Sequence, residues 1–581
     1  MSEKITGEEL GKILWDIAVT LRGTIDSAVY KDYALGLMFI KRISDQFDEQ
    51  REQVIAHYLS KGKTQSQAEQ FAKAPEEYAD GFFVPENARW EHIKDLKRDI
   101  GAALNDAAVS IEEVNGPLEG VLTPTDFNAK NNITDKKLQE LINKYSEYRF
   151  RNSDLISEDA FGDAYIYLLQ EFASGAGKKG GEFYTPKEVV RTLVELLKPT
   201  AGMSIYDPTA GSGGMLVTAR NYLVEHNEDP RDLSLSGQEM NVGTLALCKM
   251  NMFLHDVYNA DIRSGDTLRD PQHTKDGVLS TFDMVLANPP FSLDKWGKGE
   301  AEADPHGRFG YGIPPKTKGD LAFVQHMISS LVPNGRMGVV VPHGVLFRGA
   351  AEKRIRQGII EDDLLEAVVG LPAKLFYGTG IPAALLIINK NKPNDRKQQI
   401  LFINGELEYE EGKNQNRLRA EDIGHIVSTF ERYGEEKRYA TVVPLDEIRE
   451  NDYNLNIRRY ADTSPPPEPF DVMAVLQGGV PVSEVEDEYV QETLQGMDVS
   501  CVFESDRICY EGHEDVEYYE FKSEIETKEQ IRDHLGDADQ AVIDRFEKWW
   551  DKYRVSLHEL DEQVDAAEAV MWEYLDELGY E

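Results

Sequence analysis

The chain has 581 residues, with 63 Lys and Arg against 104 Asp and Glu, a formal net charge of −41. That length exceeds one ordinary core and calls for two or three domains, and a hydrophobic content of 41 % with 9 % aromatics excludes a disordered chain. The charge opposes strong non-specific binding to nucleic acid, which depends on Lys and Arg neutralising phosphates.

Residues 1–155 read as helical. In Leu10–Asp48 apolar residues recur at intervals of three and four, through Leu14, Ile17, Leu21, Leu35, Leu37, Phe39 and Ile40. Ala56–Gln70 and Thr134–Tyr148 repeat that character, separated by polar stretches that contain Pro75, Pro85 and Pro117. A helical packing module without chemistry is as compatible with this region as a functional one.

Residues 156–462 alternate short β-rich runs with helical segments. The expected strands are Met203–Tyr206, Ser234–Gln238, Ala260–Ser264, Met284–Ala287, Arg336–Val341, Leu364–Gly370 and Ala383–Asn389. Amphipathic stretches lie between them, at Gly213–His226, Val242–His255 and Leu321–Leu331. Such alternation predicts an α/β domain with a mainly parallel sheet covered on both faces. Ser464–Pro469 cannot continue a helix or a central strand and marks a linker. The linker and an acidic extension of unassigned fold fill 463–545, where the alternating acids and aromatics of Tyr510–Phe521 suit a strand pair or an extra module. Residues 546–581 read as an amphipathic helix, whose stripe runs through Trp550, Tyr553, Leu557, Leu560, Val564, Ala567, Met571, Tyr574 and Leu578. It either zips to a partner helix or folds back on its own domain. No internal repeats are visible.

Polar Ser2–Lys4 read as the absence of a secretory signal, and the longest apolar runs, such as Met337–Val341, are too short to span a bilayer. Cys248, Cys501 and Cys509 lack metal-type spacing. The expectation is a reduced cytoplasmic protein with no membrane association.

Three short segments carry chemistry. Asp207-Pro208-Thr209-Ala210-Gly211-Ser212-Gly213-Gly214 follows one expected strand and precedes a helix. Its glycines let a ligand approach the backbone, and the helix N-terminus favours an anionic group. It lacks the Gly-Lys-Ser/Thr of a phosphate-binding loop. Glu239 ends the next strand, placed to accept from ribose hydroxyls, and Asp266, after the following one, is placed to accept from an adenine amino group. Asn288-Pro289-Pro290-Phe291 follows the strand ending at Ala287. An aromatic amine is a poor nucleophile because its lone pair is delocalised into the ring. Two acceptors, the Asn288 side-chain oxygen and the Pro289 carbonyl, suit both of its N–H groups as positive charge develops. Phe291 supplies a face on which an extruded base stacks, and the prolines stiffen the loop.

In this order, with Gly181-Glu182-Phe183-Tyr184-Thr185-Pro186 ahead of the Gly-rich loop, the residues resemble the amino-methyltransferases that act on adenine in DNA, in their gamma-class motif order. Leu14-Trp15, Leu21-Arg22-Gly23, Tyr30-Lys31 and Phe39-Ile40-Lys41-Arg42-Ile43-Ser44-Asp45 resemble the helical N-terminal domain of the modification (M) subunits of type I restriction–modification systems. Asp320-Leu321-Ala322-Phe323-Val324-Gln325-His326 and Asp452-Tyr453-Asn454-Leu455-Asn456-Ile457 resemble that family's catalytic domain.

The resemblance covers roughly residues 8–460 and implies a Rossmann-like S-adenosylmethionine-dependent methyltransferase domain behind an all-α N-terminal domain. It implies that Glu182, Phe183, Tyr184, Thr185, Pro186, Lys187, Asp207, Ser212, Gly213, Gly214, Glu239 and Asp266 line the cofactor site. Asn288, Pro289, Pro290 and Phe291 would hold a flipped adenine, with Phe376 as a second aromatic facing it or as an ordinary core residue. The transfer it implies is direct, with no metal and no covalent enzyme intermediate. The implied partners are double-stranded DNA, a specificity (S) subunit that reads its sequence, a second M copy, and in some systems a nuclease (R) subunit. The rival readings are a stand-alone DNA adenine methyltransferase, a protein glutamine methyltransferase, which carries Asn-Pro-Pro-Tyr at this loop, and a non-catalytic assembly subunit.

Overall fold

The computed structural model describes residues 4–21, 27–78, 81–129, 133–157, 159–176, 180–181, 184–413, 415–463, 470–536 and 538–578. The chain forms two compact units, residues 1–463 and 464–581. The expected linker Ser464–Pro469 lies outside the described residues.

The first unit is built on a nine-stranded sheet. Its strands are β1 (Ser204–Asp207), β2 (Ser234–Glu239), β3 (Asp261–Ser264), β4 (Phe282–Ala287), β5 (Leu331–Pro342), β6 (Leu365–Gly370), β7 (Ala383–Asn389), β8 (Gln399–Asn404) and β9 (Ala440–Pro444). They lie in the order β9-β8-β6-β7-β5-β4-β1-β2-β3. β7 is buried at every position, as a strand covered on both faces must be. The two faces show in the alternation along β4. Met284 and Leu286 pack with the helices Lys187–Leu197 and Gly214–Glu225, whereas Val285 and Ala287 pack with Asp320–Ser329 and Ala350–Glu361. The sheet is more mixed than the sequence pattern suggests. β1 to β5 run parallel, but β7 is antiparallel to both β5 and β6. β8 and β9, absent from the expected strands, extend the far edge as a parallel and then an antiparallel partner. The helix expected to reach Leu331 stops at Ser329, because Leu331 pairs with Phe282 to open β5.

The second unit has its own core around Val480, Phe503, Tyr518, Ile531, Phe546, Trp549 and Tyr553. A three-stranded antiparallel sheet, with β10 (Val480–Pro481), β11 (Ile508–Tyr510) and β12 (His513–Tyr519), packs there. The acidic extension is therefore folded. Buried Glu484 accepts from Trp549 Nε1 at 3.1 Å and from the Tyr553 hydroxyl at 2.6 Å. The apolar stripe read as one helix is two, Gln540–Tyr553 and Leu557–Glu577. Ser556 caps the second, its hydroxyl accepting from Glu559 N at 3.1 Å. Trp549 and Tyr553 face the core, while the second helix contains no buried residue.

The N-terminal helices form a core that runs on into the helix Val242–Leu254 of the α/β layer, through Leu247, Met250, Phe253 and Leu254. Two expected helices differ in extent. Ala56–Gln70 is broken at Lys61–Thr64, where Thr64 caps a new helix from Gln65, and Leu10–Asp48 is divided between Gly7–Val19 and Ser27–Ser60. The Lys41-Arg42-Ile43-Ser44-Asp45 motif is buried throughout and structural in its contacts. Lys41 Nζ pairs with Asp45 at 2.7 Å, and Asp45 also accepts from Phe150 N at 2.7 Å. Arg42 donates to the Phe150 carbonyl and to Asn152 Oδ1, both at 2.5 Å, and the Ser44 hydroxyl accepts from Trp90 N at 2.7 Å. These cations tie the long helix to the segment that leads into the α/β layer. Removing one partner of a buried pair strands the other, so Asp45→Ala should lower unfolding stability by about 3–5 kcal/mol, measured by chemical denaturation of the first unit. A loss under about 1 kcal/mol would contradict this role.

Candidate functional site

Strand order reverses between β1 and β4. The chain winds from β1 toward β3 on one side and from β4 toward β5 on the other, so the loops leaving the carboxyl ends of β1 and β4 part and open a crevice. Both sequence motifs sit there. Gly181, Tyr184, Thr185, Asp207, Thr209, Ala210, Gly211, Ser212, Gly214, Met215 and Asn288 line one cleft.

The Gly-rich loop is shaped by two left-handed positions, Gly211 at φ +54° and Gly213 at φ +79°. A Cβ at Gly213 would lie 2.7 Å from Met252 Cε and 2.9 Å from Cys248 Sγ, so a larger residue would have to displace both as well as adopt the left-handed φ. Gly213 is also the N-cap of the helix Gly214–Glu225, whose free N–H groups face the cleft end of the loop. Glu239, at the end of β2, accepts from Gly211 N at 3.0 Å and from Asn241 N at 2.8 Å. Burial raises its pKa against those backbone donors. Next to it, Met240 and Val242 present side chains that are 62 % and 55 % exposed, an apolar rim that sequence reasoning missed. The sequence shows only that Met240 follows the strand-end acid, and its exposure emerges from the structure.

Asp207 ends β1, and its Oδ1 accepts from Thr209 N at 2.9 Å. It is buried, and that desolvation, aided by Glu239, pushes its pKa up to about 7. The sites expected of Pro186, Lys187 and Asp266 are less direct. Pro186 caps the following helix and lines an adjacent cavity with Leu375 and Tyr377, while Lys187 is exposed. Asp266 accepts from Leu268 N at 3.0 Å and Arg269 N at 3.2 Å, closing its own turn after β3. Glu182 and Phe183 lie outside the described residues.

Asn288 leaves β4 at the mouth of the crevice. Its Nδ2 donates to Thr185 Oγ1 at 3.0 Å, across 103 residues of chain. Its Oδ1 is buried and finds no hydrogen-bond partner among the described residues, as does the buried Tyr184 hydroxyl. A buried acceptor left without a donor costs about 1–3 kcal/mol, a cost tolerated where a ligand supplies the donor. Pro289 is buried beside it and Pro290 exposed. The Phe291 and Phe376 rings meet edge to face with centroids 5.4 Å apart, so residues from two distant loops form one aromatic wall. The site thus offers a cradle of glycine backbone and carboxylates on one side and an oriented amide acceptor with aromatic rings on the other.

An acid whose pKa is raised in the fold stabilises the fold only while protonated. For Asp207 that contribution is full below about pH 3.8 and is lost as pH rises through about 7. The melting temperature of the ligand-free protein should therefore fall more steeply from pH 5 to 8 in the wild type than in Asp207→Asn. Equal slopes would refute the assignment.

Comparison with known proteins agrees with this geometry. The N-6 DNA methylase family matches residues 156–468, and the HsdM N-terminal domain matches residues 10–145. The chain is 34 % identical over 511 residues to the MjaVII methylase subunit of a type I restriction enzyme from Methanocaldococcus jannaschii, covering 85 % of this chain and 84 % of that one. It is 31 % identical to the MpnII methylase subunit of Mycoplasma pneumoniae, covering 81 % of this chain and 93 % of that one. A crystal structure of a type I restriction–modification methyltransferase subunit from Streptococcus thermophilus superposes with a TM-score of 0.69 at 31 % identity, covering 79 % of this chain and all of that one.

Proposed function

From the premise that this chain belongs to the N-6 DNA methylase family, among the methylase subunits of type I restriction enzymes, we infer that it transfers a methyl group from S-adenosylmethionine to the N6 amino group of an adenine flipped out of duplex DNA. The observation that carries the reading is the Asn288 amide. Its donor end is occupied by Thr185 and its acceptor end is buried and unpaired among the described residues, facing the cleft.

S-adenosylmethionine supplies a methyl group on a sulfonium, which an amine attacks directly. The orphaned Tyr184 hydroxyl, with the glycine cradle, fits such a polar ligand. Tyr184, Thr185, Asp207, Ser212, Gly213 and Gly214 would hold it, Glu239 would accept from its ribose, and Met240 and Val242 would flank its base. Asp266, just past β3 and paired through Oδ2 with Arg269 Nη1 at 3.3 Å, is the proposed acceptor for the cofactor's adenine amino group, and Glu182, Phe183, Pro186 and Lys187 complete the proposed pocket. Asn288 Oδ1 and the Pro289 carbonyl accept the two N6 hydrogens of the target. Holding both draws the nitrogen lone pair out of conjugation and stabilises the positive charge that builds on nitrogen during attack. Pro290 stiffens the loop, and Phe291 with Phe376 stacks the extruded base, repaying part of the lost stacking.

With a net charge of −41, DNA affinity has to come from a local basic cleft or a partner subunit, and the reading favours a partner. The proposed assembly has a specificity subunit that reads the sequence, a second copy of this chain, and in some settings a nuclease subunit, all in the cytoplasm. Among the described residues no helix is long and apolar enough to cross a membrane. The helix Leu557–Glu577 is the proposed dock for the specificity subunit. It exposes Leu560, Val564, Met571 and Tyr574 on its stripe and carries no Lys or Arg, so a helix with an apolar stripe and basic flanks complements it.

Modification-sensitive sequencing of host DNA should show N6-methyladenine at a split motif with a fixed gap when the wild-type gene is present. It should show none with Asn288→Ala, whose affinity for S-adenosylmethionine stays within about threefold. Methylation at a short continuous motif would indicate a stand-alone enzyme, and parallel loss of cofactor binding would contradict the assigned role of Asn288. A chain ending at Ser556 keeps the Trp549 and Tyr553 core and should bind cofactor normally while losing co-purification with the specificity subunit. Full co-purification would remove the docking assignment.

A further inference from the structure

Two motifs of the catalytic domain have no part in the chemistry above: Asp320-Leu321-Ala322-Phe323 and Asp452-Tyr453-Asn454-Leu455. We propose that they form one clamp on the base-holding loop, in which Asp320, held by Arg348, is a positioning residue for Asn288–Phe291. The proposal rests on the reading of that loop as the site of the target base.

The residue after Phe291 is Ser292, which has φ +52°. A non-glycine residue in that region needs surrounding contacts to stay there. Ser292 N donates to Asp320 Oδ1 at 2.7 Å. The other carboxylate oxygen accepts from Arg348 Nη2 at 2.7 Å, and the same Nη2 reaches Glu352 at 2.9 Å. Asp320 is 4 % exposed, so its charge requires this cation and this amide. An acid at the first position of a helix ordinarily serves its own free N–H groups. Both Asp320 oxygens are spent elsewhere, on the loop after Asn-Pro-Pro-Phe and on the loop after β5.

Arg348 is itself held by the second motif. Arg356, in the helix Ala350–Glu361, donates through Nη1 to the Arg348 carbonyl at 2.9 Å and the Val345 carbonyl at 3.0 Å, and through Nε to the Tyr453 carbonyl at 2.9 Å. Leu455 N donates to the Leu346 carbonyl at 2.9 Å. Asp452 and Tyr453 take left-handed φ values of +60° and +56° to bring these groups round. Next to this contact Gly319 N donates to the Leu293 carbonyl at 3.1 Å, and farther along Trp296 Nε1 donates to the Pro315 carbonyl at 2.9 Å. Asp320 therefore grips the near end, one residue from the ring that receives the base. It fixes the bend that aims Phe291 at Phe376 and keeps Asn288 at the cleft.

The test uses the full chain, co-purified with its specificity subunit, and Asp320→Ala, Asp320→Asn and Arg348→Ala. Hydrogen exchange at 289–296 should rise on the order of tenfold in Asp320→Ala, with exchange at 205–216 unchanged. On DNA carrying the complex's motif, kcat should fall on the order of 100-fold, as expected for a misplaced base, with the Kd for S-adenosylmethionine within about twofold. Asp320→Asn, whose amide oxygen still accepts from Ser292 N, should recover part of both. Arg348→Ala should lower kcat alone but add little to Asp320→Ala, because the two act as one unit. Unchanged exchange at 289–296, or fully additive kcat losses, would overturn the clamp. If the wild type methylates no DNA, the functional reading falls, and the exchange measurement still decides the clamp.

Discussion

The crevice between β1 and β4 is the constraint on which the rest of the molecule depends. Parallel strands send their connections to the same edge, and only where the winding reverses do two neighbouring loops diverge. The Gly-rich loop after β1 and Asn288 after β4 meet there because β1 and β4 are adjacent although 74 residues of chain lie between Asp207 and Phe282. The Asn288–Thr185 hydrogen bond then joins a third segment to the pair. Each group has little chemistry alone. Brought within one cleft, they can position a donor and an acceptor of a methyl group on opposite sides of a short gap.

Around that crevice most polar residues serve geometry. Lys41 and Arg42 are cations in a chain short of cations, yet both are buried on backbone and side-chain acceptors. They are used to fasten the helical layer, whose core continues into the helix Val242–Leu254. That helix also presents Cys248 and Met252 against Gly213, so packing in the helical layer bears on the Gly-rich loop. Asp320 and Arg356 do similar work on the opposite side. Buried charges thus fasten the helical layer on one side and the loop after Phe291 on the other.

The second unit has a different physical character. Its core is small and aromatic, and its last helix leaves an apolar stripe open on a surface without Lys or Arg. Such a surface repels phosphate and a like-charged copy of itself and suits a basic helical partner.

The segments proposed to bind and react were legible from the sequence as motifs, because they are contiguous: Asp207–Gly214, Glu239 and Asn288–Phe291 each lie where a strand gives way to a loop, and local pattern shows both. The α/β alternation and most strand positions were legible for the same reason, since hydrophobic period is a local property. The alternation could not show that β7 turns against its neighbours, that β8 and β9 extend the sheet, or that the terminal stripe breaks at Ser556 so that Trp549 and Tyr553 face inward. Nor could it distinguish Asp266, folded into its own turn, from Glu239, turned toward the Gly-rich loop, since both are acids at strand ends. The roles of Lys41, Asp320 and Tyr453 were equally hidden in recognisable motifs. They depend on which carbonyl or amide lies opposite, and that is set by tertiary contacts such as Asp45 with Phe150, Asp320 with Ser292 and Arg356 with Tyr453, which no local pattern displays. The sequence by itself determined the chemistry available, and only the tertiary structure decided which polar groups were spent on holding the fold and which were left free to meet a ligand.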